Sequence, residues 1–91
     1  MQGPINQKFI SGTYTLSSAS WSGTSYALTV SGLKEDDAVW VGPQASQDGS
    51  NELAYSSNEI RGLSQEANTI NFVAKTAPSV DIIVEVIIIP A

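Results

Sequence analysis

The side chains in this 91-residue chain that could do chemistry are its acids, serines and aromatic rings, because it has no His and no Cys. Losing His removes the commonest general base and metal ligand. Losing Cys removes thiolate nucleophiles, thiolate metal sites and disulfides. A serine nucleophile needs a neighbouring base, so the usual triad cannot be built here. Lys8, Lys34 and Lys75 could serve in a Ser–Lys pair, yet none stands in a local motif of that kind. The expectation is no catalytic residue and no enzyme.

Two acidic stretches invite a site. Asp48-Gly49-Ser50-Asn51-Glu52 offers oxygen donors at alternate positions, as a calcium loop would. An EF-hand loop counted from Asp48 fails at once, so the stretch reads as a solvated turn. Glu35-Asp36-Asp37 could hold a pair of carboxylates for acid and base work, but that chemistry needs a cleft that separates their pKa values. Acids in a turn between strands are ordinarily wet. No metal site and no cofactor are expected.

The aromatics are Trp21, Trp40, Tyr14, Tyr26 and Tyr55, with Phe9 and Phe72. An aromatic face can stack on a sugar ring, and it can equally fill a core. The alternation of Ser25 to Ser31 sends Tyr26, Leu28 and Val30 to one side, which places Tyr26 in the core, and Trp21 is read with it. Trp40 points opposite to Val39 and Val41, toward a far sheet face or a subunit contact. Tyr55, inside a long polar segment, and Trp40 are the candidate ligand contacts.

Composition narrows the classes. Nine acids against four bases give a net charge of −5, with no basic cluster, which argues against nucleic acid as a partner. No apolar run approaches the roughly 20 residues of a membrane-spanning helix, so no membrane insertion is expected. Met1 to Gln7 lacks the layout of a signal peptide. Residues 1–8, with Gly3 and Pro4, read as a linker or N-terminal arm, and 9–91 as one domain.

The elements that must position these residues are strands. Lys8 to Leu16, Ser25 to Ser31, Ala38 to Gly42, Glu59 to Ala67 and Thr69 to Lys75 read as strands, with a bulge or close approach at Gly12 and a bulge near Gly62. Gln44 to Asn58 reads as loop with one helical turn around Glu52 to Tyr55. The last strand, Val80 to Ile89, dominates. Its residues are nearly all β-branched, stiff at χ1 and suited to a pleat. Val80, Ile82, Val84, Val86 and Ile88 share a wholly apolar face, and Asp81, Ile83, Glu85, Ile87 and Ile89 share the other. The pattern predicts an all-β fold, an antiparallel β-sandwich or jelly-roll-like barrel of about six strands, with a β-roll as the alternative.

Leaving Ile83, Ile87 and Ile89 bare would forgo several kcal/mol, since burying each is worth roughly 1.5–3 kcal/mol. It would also expose an aggregation-prone window. Two arrangements would hide this face: a central strand covered on both sides within the monomer, or a second copy over it. With so few other apolar residues to cover it, the expectation is the second copy, with Ile83, Ile87, Ile89 and Trp40 at the contact and Glu85 as gatekeeper against open-ended pairing.

Three stretches carry a likeness to a known group: Ala19-Ser20-Trp21-Ser22-Gly23-Thr24 leading into Tyr26 to Leu33, then Ile60 to Phe72, then Thr76 to Val86. Together they resemble small β-sandwich domains in virion proteins of tailed bacteriophages, especially head-fibre and other capsid- or tail-appendage proteins. The likeness begins near Leu16, covers about three quarters of the chain and lies in turn chemistry and strand rhythm. It implies a non-enzymatic structural domain on the virion surface, assembled in the host cytoplasm, commonly trimeric and in contact with other virion proteins. Some such domains also contact host glycans, but no ligand-binding motif of the group carries over to this sequence. A carbohydrate-binding module using Trp40 and Tyr55 is the alternative from another functional class.

Overall fold

The structure, a computed structural model, describes residues 9–91, so the arm expected over 1–8 lies outside the described residues. The elements run β1 (Ile10–Leu16), a 3-10 turn (Ser18–Ser20), β2 (Ser25–Thr29), β3 (Ala38–Pro43), α1 (Ser50–Ser57), β4 (Arg61–Glu66), β5 (Thr69–Val73) and β6 (Ile82–Ile89). They form two three-stranded antiparallel sheets, ordered β1-β6-β3 and β2-β5-β4. Every connection except the β4–β5 hairpin changes sheet. This is the small β-sandwich expected from the strand rhythm.

The isoleucine-rich strand β6 lies at the centre of its sheet. Ile82, Val84, Val86 and Ile88 are 0 to 5 % exposed and meet Leu28, Ile70 and Phe72 from the opposite sheet. Val80 departs from expectation: it precedes the strand and is 51 % exposed. Gly12 pairs with Val86 without a register shift, so it marks a close approach, by the Tyr14 ring, and not a bulge. The bulge expected near Gly62 falls between Gly62 and Ser64.

Where the ladders stop, side-chain amides take over. Pro43 ends β3 because proline cannot continue the donor pattern. Asn51 of α1 fills the gap. Its Oδ1 accepts from the Ile83 N–H at 2.8 Å, and its Nδ2 donates to the Ile83 and Gln44 carbonyls at 2.8 Å each. The segment expected as loop with one helical turn is therefore an eight-residue helix docked on the end of β6. Its start is held by carboxylates: Asp48 Oδ1 accepts from the Ser50 N–H, and Glu52 Oε1 accepts from the Ser46 N–H and hydroxyl. These bonds favour the charged forms and hold both carboxyls below their usual range. The predicted solvated turn is thus a helix entry.

Asn68 ties the sheet ends together. It occupies the left-handed region at φ 62°, in the two-residue loop between paired Glu66 and Thr69, where Asn is tolerated. Its carbonyl accepts from the Val30 N–H, its N–H donates to the Leu33 carbonyl, and its Oδ1 accepts from the Gly32 N–H. The acidic turn corrects the expectation that all three acids are wet. Asp37 is only 8 % exposed, and it accepts from the Lys34 N–H with Oδ2 and the Ala91 N–H with Oδ1, at 3.0 Å each. The Gln65 amide donates to the Lys34 and Asp37 carbonyls beside it.

Two predictions arise from these ties. Asn51→Ala leaves the Ile83 N–H and the Gln44 carbonyl without their partner, the Ile83 carbonyl keeping the Gln44 N–H, and should lower stability by about 1–3 kcal/mol in urea unfolding. Leu53→Ala, at a 66 % exposed helix position, should change it little. Equal losses would show that Asn51 does not pin the helix. The Asp37 carboxyl is held below its ordinary range, first by the Ala91 N–H and then by the Lys34 N–H. A depressed folded pKa gives stability that is present above the unfolded value of about 3.9 and fades as pH falls through the lower folded value. Urea midpoints followed from neutral pH down into that acid range should fall less steeply for Asp37→Asn than for the wild type. Parallel curves would remove Asp37 from the account.

Candidate functional site

The four residues expected at a subunit contact do share one surface, the outer face of the β1-β6-β3 sheet. The register sets Trp40 opposite Ile87, Ala38 opposite Ile89 and Gly42 opposite Glu85. On the other side of β6, Thr15 faces Ile83, Thr13 faces Glu85 and Ser11 faces Ile87. Trp40 is 53 % exposed and Ile83 37 %, while Ile87 and Ile89 are half-buried within the monomer. The face is therefore less bare than the sequence suggested. It has an apolar half on β3 and β6, a hydroxyl-bearing half on β1, and the exposed Glu85 between them.

The seat of Trp40 is a feature that reading the sequence missed. A Cβ added at Gly42 would lie 2.6 Å from Trp40 Cη2 and 2.8 Å from Cζ2, so the indole lies across the glycine two residues along its own strand. Residues i and i+2 share a strand face, so the Trp40-Val41-Gly42 spacing was the available signal. Only a residue without a side chain leaves room for the ring to lie this close to the backbone. The far end of the indole thus rests against Gly42, with Ile87 the cross-strand neighbour of Trp40.

The other ligand candidate lies elsewhere. Tyr55 is half-buried against the core cluster, on the inner side of the sheet whose outer face carries Trp40, and desolvation pushes its hydroxyl pKa up. The structure does not bring Tyr55 and Trp40 together on one platform. Tyr14, Tyr26 and Trp21 pack against the core, with Trp21 and Tyr26 edge to face at a centroid distance of 5.3 Å. The Trp21 Nε1 is buried without a partner, and the Tyr26 hydroxyl accepts from the Ser17 N–H and donates to the Thr15 carbonyl. A hollow of about 410 Å³ on the opposite sheet is edged by Ser20, Ser22, Ser25 and Asn71, but its aromatic members, Tyr26 and Phe72, belong to the core side.

Among the described residues no three acids converge on a point where a cation could sit. Lys75 and Glu59 approach to 3.8 Å, both well exposed, a pair of the kind that contributes little. No helix among the described residues is long and apolar enough to cross a membrane. Compared by sequence and by fold, no family model, no curated protein and no solved structure matches this chain.

The Trp40 seat generates a double-mutant test. Gly42→Ala forces the indole to move and should destabilise the fold by about 1–3 kcal/mol, the usual range for overpacking. With Trp40→Leu already in place the same change should cost much less, because the two residues are coupled. Equal losses in both backgrounds, read from urea midpoints, would mean that the ring does not rest on Gly42.

Proposed function

We propose that this domain is a non-enzymatic structural module of a phage virion, a fibre or capsid-decoration domain that assembles as a homo-oligomer, with a trimer favoured. One observation carries the reading: an indole packed against Gly42 and left 53 % exposed beside Ile87, on the face that also presents Ile83. Aromatic rings are enriched at the centres of protein interfaces, and a rigidly seated one loses little entropy on docking. The likeness in turn chemistry and strand rhythm supports the virion part of the reading, with other virion proteins as further partners and the particle surface as the location. Glu85 in the middle of the face limits how many copies can stack there, since each added copy must leave its carboxylate wet or paired.

Trp40 also supports a second reading, a host-glycan contact, because an exposed indole is a good platform for a sugar ring. Tyr55 contributes less to that reading, as its ring is engaged with the core.

Sedimentation velocity at micromolar concentration tests the assembly. The wild type should run as an oligomer, and Ile87→Asp, with its near-UV circular dichroism retained, should run as a monomer. A wild-type monomer would overturn the proposal. Glycan-array binding lost in Trp40→Ala but kept in Tyr55→Ala would replace it with the second reading.

A further inference from the structure

A sandwich of two open sheets has four edge strands, and each edge is a row of backbone groups that another strand can take up. Three of the four are blunted here. β4 carries Arg61, Glu66 and the bulge between Gly62 and Ser64. β3 ends in Pro43 and has α1 packed at that end. β2 is five residues long, and its first rung is folded back, since Ser25 and Ser22 exchange both backbone hydrogen bonds. β1 is the exception: seven residues, ISGTYTL, with no charge, no proline and an unbroken register.

Two independent contacts show which backbone groups of β1 are open. Ile83 turns its N–H and carbonyl toward the β3 side, where Asn51 and Gln44 take them. Backbone direction alternates along a strand, so Ile82, Val84, Val86 and Ile88 turn theirs toward β1. Their register partners are Leu16, Tyr14, Gly12 and Ile10, which leaves Ser11, Thr13 and Thr15 facing away from β6. The second contact agrees: the Tyr26 hydroxyl reaches the Thr15 carbonyl at 3.4 Å and the Ser17 N–H at 3.0 Å, two groups of that same outward set. Ser11 and Thr13 keep their outward groups free of any hydrogen bond within the described chain.

We infer that the free edge of β1 takes up β1 of a second copy, antiparallel, about a two-fold axis through Gly12. This places Ser11 of one copy opposite Thr13 of the other, so the two open rungs satisfy each other in about four backbone hydrogen bonds. It brings the strands closest at Gly12, which has no side chain to obstruct them, and sets the two Tyr14 rings side by side over that point. On the inner side Ile10, 55 % exposed, falls opposite the Tyr14 of the other copy. The outer side meets as Ser and Thr pairs, which are favourable cross-strand neighbours. The strand is uncharged in a chain of net charge −5, so like charges are not set against each other at the seam. The two sheets join into one of six strands. This contact uses an edge, not the Trp40 face, so it stands without the assembly proposed above. If both are used, the two-fold seam links face-assembled oligomers into larger bodies.

A single strand pair falls below the roughly 1,200 Å² of standard stable interfaces, so the association is weak and must be sought at high concentration. Hydrogen exchange of individual amides, read by NMR on the whole chain from about 10 μM to about 2 mM, gives the test. The Gly12 and Tyr14 amides, bonded to β6, should be protected throughout. The Ser11 and Thr13 amides should exchange freely when dilute and slow by about tenfold or more when concentrated. Ser11 and Thr13 amides that exchange freely at every concentration overturn the inference. Thr13→Pro removes an outward N–H without touching the β6 ladder, so it should fold and abolish the concentration-dependent protection of Ser11. Protection that survives in Thr13→Pro also overturns it. Ile87→Asp should leave the Ser11 effect in place, which separates this edge from the face, and loss of the effect in that variant would overturn the claim that the two are separate.

Discussion

The structure depends on β6 being a central strand with unequal faces. Its inner face, Ile82, Val84, Val86 and Ile88, is almost completely shielded, and it is the wall against which the second sheet packs, with α1 docked on the same strand. Because the chain changes sheet at nearly every connection, no local unit can bury itself without this strand, which arrives last in the sequence. The fold is accordingly dominated by contacts distant along the chain, a topology in which loop closure must precede the rewarding contacts. A domain of this size with no disulfide has little core to spare.

What the core lacks in volume is made up at the ladder ends. Asn51 stands in for a missing neighbour strand at Ile83, Asn68 binds three backbone groups across the sheet ends, and Asp37 with Gln65 closes the acidic turn onto Ala91. Each supplies a partner to a backbone group that a short strand leaves unpaired, and each joins segments distant in the sequence. Of these ties, the Asn51 bonds act on the β1-β6-β3 sheet directly, at the end of β3 and β6 next to the strand that carries Trp40.

The sandwich was legible because β-strand periodicity is written in alternation. Tyr26, Leu28 and Val30, and Ile82 to Ile88, announce their inward faces directly, and Gly62 announces its bulge. The helix was only partly legible. Glu52 to Tyr55 is its middle, but its docking rests on Asn51 reaching the Ile83 backbone, a contact 32 residues away that no local pattern encodes. Asp37 was misread for the same reason: its decisive partner is the amide of Ala91. Trp40 and its companions were found on the face where alternation put them. How exposed each would be was not legible, because the burial of Ile87 and Ile89 depends on cross-strand neighbours. The Gly42 seat went unread although its spacing was visible.

The fold built around β6 carries a face with a seated indole, and the central proposal is that other copies cover that face. Fluorescence quenching of Trp40 in a Trp21→Phe background isolates the one ring that matters. If copies cover the face, emission should shift to shorter wavelength, and quenching by acrylamide should weaken, as the protein is raised from nanomolar to micromolar concentration. Emission and quenching that stay those of a water-exposed indole across the whole range would contradict it.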